Sequence, residues 1–321
     1  MEQSLAALGN PAVLFFVLGA LAAFARSDLA VPDAVAKGLS IFLMMSIGLR
    51  GGVEVAHVGL SSSVGLAALL GLSLSALLPI PAFFALRRFG GQDAINAAAI
   101  AGHYGSVSVV TFVTGHDILN GRGLAPAGYM VAVLAIMETP AIISALLLAG
   151  RAREGGAPAA PLGELLREVL VNGSVVLLAG SFAVGTIIGD AGFKPIAPLF
   201  DGLFRGALCL FLLDMGLVAA RRLLDARLLT PALAALGVLL PLFNGTIGVA
   251  LATALGFPPG TAAEFGILAA SASYIAVPAA MRLALPQADP GRYLTMSLGI
   301  TFPFNIIIGI ALYTNLALAL A

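Results

Sequence analysis

The stretch IAGHYGSVSVV, Ile100 to Val110, lies inside an apolar run long enough to cross a bilayer, yet it packs a histidine, a tyrosine, two serines and two glycines into seven residues. Glycine weakens a helix by about 1 kcal/mol relative to alanine. Lipid offers no partner to backbone groups that come unwound, so such a break persists at membrane depth only inside protein or beside water. The stretch therefore asks for a fold that surrounds it with other helices.

The rest of the chain supplies the material. Of 321 residues, 60% are hydrophobic and 10% charged, with a mean hydropathy of +1.05, whereas soluble domains are about a quarter charged. A spanning helix needs about 20 apolar residues and a barrel strand only about 10. The runs Leu60 to Leu86, Leu228 to Ala263 and Tyr293 to Ala321 contain no Asp, Glu, Lys or Arg, the second being a span plus the turn GFPPG at Gly256 to Gly260. This is helix-length material, and the expectation is an all-α integral membrane protein. The balance of 16 basic and 16 acidic residues leaves no net field to attract nucleic acid. The single cysteine, Cys209, excludes an intramolecular disulfide and reads as an ordinary buried thiol. The N-terminus lacks a basic leader region, so Pro11 to Ala25 reads as a retained first span.

Punctuation by charge, Gly and Pro gives ten segments, near residues 11–25, 33–50, 60–86, 94–115, 124–149, 169–189, 199–220, 230–255, 261–281 and 293–319. If they alternate across the membrane, one side collects Arg26, Lys37, Arg87, Arg88, Arg151, Arg153, Arg167, Arg221, Arg222, Arg227, Arg282 and Arg292. The other side keeps only Arg50, Arg122, Lys194 and Arg205. The positive-inside rule then places the first group in the cytoplasm, both termini outside it, and the protein in the cell inner (plasma) membrane.

The chain also divides into similar halves. A shift of 168 residues lays Ile47-Gly48-Leu49 on Met215-Gly216-Leu217 and IAGHYGSVSVV on LAASASYIAVP, Leu268 to Pro278; METPAII, Met137 to Ile143, resembles ITFPFNI, Ile300 to Ile306. Residues 1–150 thus read as a first five-span repeat, 151–168 as a cytoplasmic linker and 169–321 as a second repeat. Five spans per half forces the second copy to enter the membrane inverted. Inverted repeats are the architecture of many secondary transporters, with binding near the midplane where broken helices meet.

On this reading the fourth and ninth segments are both interrupted. Two half-helix N-termini would converge, offering free N–H groups and positive dipole ends to an anion, and carbonyls and hydroxyls to a small cation. Ser106, Ser108, Thr111, Ser271 and Ser273 supply uncharged hydroxyls. Small residues in membrane helices also serve close packing, and His103 could equally be a hydrogen-bonded structural residue. Acids inside spans are costly and mark interior or functional positions. Glu138, beside Pro140, is expected in the interior as a coupling-ion site or strut; Asp214 is expected there too, or paired with an arginine such as Arg205; Asn244 and Asn305 are weaker candidates of the same kind.

The residues VPDAVAKGLSIFLMMSIGLRGG, the break from Gly102 to Thr111, METPA, LFRGALCLFLLDMGL and ASASYIAVPAAMRLALPQADPGRYLTMSLGI resemble, in the same order, the sodium-dependent bicarbonate transporter family best known from cyanobacteria. The resemblance implies ten spans in two inverted repeats, sodium-coupled anion uptake, a homotrimer, and no cofactor beyond sodium as the coupling ion. It places the substrate region at Gly102, His103, Tyr104, Gly105, Ser106 and Ser108 together with Ser271, Ala272, Ser273 and Tyr274. The coupling ion falls to Thr111, Glu138, Asp214 and Asn305. The chain departs from the pattern where the family carries a serine-rich run, an aspartate and a further serine: here Tyr274 and Ala276 follow Ser273. The linker is shorter than in carriers gated by a PII-type regulator, so that partner is not indicated.

The expected function is sodium-coupled uptake of a small anion, with bicarbonate favoured. Alternatives are an organic-anion symporter or a cation/proton antiporter on a related scaffold, and a channel using the same polar breaks. A metalloprotease is excluded by spacing, since His57, His103 and His116 form no HExxH pair.

Overall fold

The computed structural model describes residues 11–58, 62–152, 167, 171, 173–224, 229–274 and 276–321. No strand occurs among them. The helices are α1 (Pro11–Phe24), α2 (Asp33–Val58), α3 (Ser62–Arg88), α4 (Ala94–Gly105), α5 (Val109–Gly121), α6 (Met130–Ala152), α7 (Gly173–Phe193), α8 (Phe204–Leu224), α9 (Pro231–Ala254), α10 (Pro259–Ala270), α11 (Ala276–Ala284) and α12 (Pro290–Leu320). All ten apolar segments read from the sequence fall on helical structure. Among the described residues seven spans are long and apolar enough to cross a membrane: α2, α3, α4 with α5, α6, α8 with its leading turn, α9 and α12. Of the rest, α1 has only 14 residues, α7 is kinked at Gly189 (φ 54°), and α10 with α11 is interrupted. The linker expected at 151–168 falls almost wholly outside the described residues.

Local chemistry sets where helices begin. Asp93 accepts from the N–H groups of Ile95 and Asn96 at 3.0 and 2.9 Å and so caps α4. Thr230 and Asp289 cap α9 and α12, each followed by a proline at the first helical position, where a missing N–H costs nothing. Pro303 disturbs α12, which widens into π-helical turns over Thr295–Thr301 and Asn305–Gly309; such turns relieve backbone strain and gather at functional positions.

The helices sort into two groups. In one, α1 packs on α8 and α2 on α7, with backbones in direct contact. A Cβ on Gly19 would lie 2.0 Å from the Leu213 carbonyl oxygen and one on Gly216 2.1 Å from that of Phe16; Gly52 and Gly185 stand the same way, 2.0 and 2.2 Å from the carbonyl oxygens of Phe182 and Leu49. Between lipid-solvated helices this close approach, rather than hydrophobic burial, supplies the attraction. In the other group, α3, α6, α9 and α12 enclose α4, α5 and α10. The most apolar 18-residue window of the α4–α5 span is 100% buried, against 44% to 61% in the other spans. The stretch that lipid could not tolerate touches no lipid.

Candidate functional site

The two breaks lie side by side. Between α4 and α5 the chain runs extended, with Ser106 at φ −89°, ψ 179° and Ser108 at φ −111°, ψ 112°; after α10, Ser271 is extended at φ −74°, ψ 161°. Unwinding frees backbone groups that must be paired, and the breaks pair each other's. The Ser108 N–H donates to Ser271 Oγ at 3.0 Å, and the Ser273 N–H donates to the His103 carbonyl at 2.9 Å. Ser108 Oγ accepts from the N–H of Thr111 (3.2 Å) and from Thr111 Oγ1 (3.0 Å), capping α5. Ser273 Oγ accepts from the Val277 N–H at 3.4 Å in α11.

Neighbouring helices satisfy the freed carbonyls. Asn244 Nδ2 in α9 donates to the Tyr104 carbonyl at 3.0 Å, and Asn305 Nδ2 in α12 donates to that of Ala270 at 2.8 Å. In both amides Oδ1 is buried without a hydrogen-bond partner among the described residues. Each break is therefore braced by an asparagine.

Between the N-termini of α5 and α11 lies a cavity of about 10 Å³, lined by Val107, Ser108, Val109, Glu138, Ser273, Tyr274 and Ala276. That is space for about one water molecule. Glu138 is 4% exposed, and its Oε2 accepts from Ser106 Oγ at 3.0 Å. Its position follows from a defect in α6. Ser75 of α3 inserts its hydroxyl into the helical ladder, donating to the Met137 carbonyl and accepting from the Ala141 N–H at 3.1 Å. Pro140, which lacks an N–H, weakens the same turn. A side chain wedged into the i to i−4 ladder is a recognised cause of local helix opening, and here it flanks the carboxylate. Among the described residues the lining holds no Lys or Arg; positive potential comes from two helix N-termini.

The sequence candidates divide on this geometry. Ser106, Ser108, Thr111, Glu138, Ser271, Ser273 and Tyr274 meet at the crossing, and Asn305 braces it. His103 and Tyr104 contribute backbone, while their side chains turn elsewhere. The His103 ring stacks on Tyr293 at 4.5 Å, with Nδ1 2.7 Å from the Ala99 carbonyl; Tyr104 Oη lies 2.7 Å from Thr301 Oγ1, which donates to the Gly237 carbonyl at 2.6 Å. Gly102 and Gly105 are packing positions: a Cβ on Gly105 would lie 2.3 Å from Pro79 Cγ, and one on Gly102 2.9 Å from Ala145 Cβ. Ala272 is buried in the cluster around Tyr104. Asp214 stands apart, its charged neighbours being Asp33 and Arg221, because Arg205 is taken by Asp117 at 3.0 Å. Cys209, expected to be buried, is only partly so.

Sequence reasoning missed three residues. Ser75 and Thr301 carry no signal beyond being hydroxyls in apolar helices. Glu264 does: it is an acid five residues past Pro259, inside the ninth apolar segment, and it is 0% exposed and lies 2.9 Å through Oε1 from His116 Nδ1.

No curated protein matches the chain. The sequence model of the Na+-dependent bicarbonate transporter superfamily matches residues 11–318, and so covers every helix described above except the last two residues of α12. On that match the chain belongs to the Na+-dependent bicarbonate transporter superfamily.

Proposed function

We propose that the chain is a secondary active carrier that takes up a small anion, bicarbonate foremost, together with sodium, and that cargo binds at the crossing of the two breaks. The observation that carries this reading is the combination in one cavity of two helix N-termini and a buried carboxylate. Helix ends attract an anion, but Glu138 repels it. A cation bound beside Glu138 removes the repulsion, so cation and anion bind better together than alone, which is the thermodynamic content of symport. The narrow cavity favours a small oxyanion over an organic one, since its walls part least for the smaller guest.

The reading takes the ten segments as ten spans in two inverted five-helix repeats. The glycine contacts support it: the first helix of each half lies on the second helix of the other, as a pseudo-two-fold axis in the membrane plane requires. The reading puts the protein in the plasma membrane with both termini outside the cytoplasm, an orientation the positive-inside asymmetry supports. A homotrimer is proposed on family grounds alone. Thr111, Glu138 and Asn305 are the proposed sodium-side groups; Asp214 is dropped from the set.

The test is uptake of labelled bicarbonate by proteoliposomes, with and without a sodium gradient, for the wild type, Ser106→Ala and Glu138→Gln. Sodium-stimulated, saturable uptake that Ser106→Ala weakens supports the proposal. Sealed, folded preparations in which sodium has no effect would remove the coupling, and non-saturating flux would mark a channel.

A further inference from the structure

A second polar centre lies away from the crossing, at the far ends of α5 and α10. A cavity of about 230 Å³ opens there, lined among others by Arg50, His116, Asp117, Asp201 and Arg205. Arg50 is paired with Asp201 and Arg205 with Asp117, so the wall carries both signs of charge. Between this vestibule and the crossing, Val109, Val110 and Val113 of α5 line a separate small apolar void, and Val109 also belongs to the lining of the crossing cavity. Met44, Leu208 and Phe211 line that void from the facing helices.

His116 is the vestibule residue that also reaches the interior. Its side chain is 16% exposed, whereas its partner Glu264 is 0% exposed. Glu264 Oε1 is held by His116 at 2.9 Å, and Oε2 is buried with no hydrogen-bond partner among the described residues. A buried carboxylate with half its acceptor capacity unfilled is tolerable only if its charge is balanced. One proton shared by the pair achieves this. With none, a buried anion is unbalanced; with two, the ion pair is broken. Other charges face the pair from each packed element without replacing it: Glu54 and Arg50 on α2 are its remaining electrostatic neighbours, Asp117 and Arg205 bind one another, and Arg122 turns to Asn315 of α12.

We infer that His116 and Glu264 form a proton-binding site, loaded from the vestibule and separate from the anion site, whose occupancy sets whether α5 is clamped to α10. The pair sits beside a tight contact between these half-helices, since a Cβ on the adjacent Gly115 would lie 2.8 Å from Ile267 Cδ1. His116 is eight residues from Ser108 and Glu264 seven from Ser271, about two turns or roughly 11 Å along each helix. Breaking the clamp therefore loosens both arms of the crossing at once. The regulatory part rests on the proposed transport role; proton binding does not.

Two measurements test it. Infrared difference spectra of folded, detergent-solubilised protein between about pH 8 and about pH 5 should show a protonated-carboxyl band that Glu264→Gln lacks and whose pH of appearance His116→Gln displaces. Identical spectra for the wild type and Glu264→Gln, with size-exclusion profiles showing both folded, would overturn the site. In proteoliposomes, uptake should vary with pH on the vestibule side, and Glu264→Gln and His116→Gln should flatten that profile several-fold. A profile unchanged in both variants would overturn the clamp. If no anion is carried at all but the carboxyl band behaves as stated, the transport proposal fails and the proton site stands.

Discussion

Replacing Glu138 with glutamine keeps the size of the side chain and its hydrogen bond to Ser106 but removes the charge, so it isolates the proposed source of coupling. Glu138 itself lines the cavity, and an anion in contact with it there would stand about 4 Å from the charge. At that separation and an effective dielectric of about 20, like charges repel by about 4 kcal/mol, worth about a thousandfold in affinity. In the wild type a cation must offset that cost; in Glu138→Gln there is nothing to offset. Labelled-bicarbonate uptake measured against sodium concentration should therefore show strong sodium stimulation in the wild type and a stimulation reduced at least tenfold in the variant, with sodium-free uptake raised. If Glu138→Gln keeps the full sodium response, the carboxylate does not couple the two ions and the electrostatic argument is wrong.

Other perturbations follow from the same geometry. Ser75→Ala removes the hydroxyl wedged between Met137 and Ala141; it should cost about 1 kcal/mol in thermal unfolding and weaken sodium stimulation by letting α6 close around Glu138. Gly52→Ala should destabilise by about 1–3 kcal/mol because its methyl falls on the Phe182 carbonyl, while Gly65→Ala, inside α3 with nothing within 4 Å, should stabilise by up to about 1 kcal/mol in the same melt. Asp93→Ala should lose about 1 kcal/mol of helix capping. Burial opposes ionisation of Asp93, but hydrogen bonds from the Asn96 side chain and from the Asn96 and Ile95 N–H groups outweigh it and hold the carboxyl below its ordinary value. Its stabilising effect is then complete above the ordinary carboxylate pKa and disappears as pH falls through the lowered one. An acid melting series of Asp93→Asn should lack that component.

The two interruptions were legible in the sequence because Gly, Ser and Pro act through the backbone, and a backbone that cannot stay helical inside a membrane announces itself locally. Their mutual hydrogen bonds were anticipated only as proximity. Side-chain direction was not legible: His103 and Tyr104 occupy the break in sequence, yet their rings turn to Tyr293 and Thr301, nearly two hundred residues away. A separation of 148 residues likewise hid the pairing of His116 with Glu264, which depends on how α5 lies against α10. Asp214 misled because an acid in an apolar helix carries no address; the interhelical neighbours that assign it to Asp33 and Arg221 exist only after folding.

The crossed glycine contacts bear on how the protein is made. With α1 seated on α8 and α2 on α7, these two helices find their partners only after the intervening helices α3 to α6 have been synthesised. They must wait in the bilayer, unmated, until translation of the second half delivers the surfaces they fit. Two gene fragments divided within residues 153–166 should therefore give a working carrier only when expressed in the same cell.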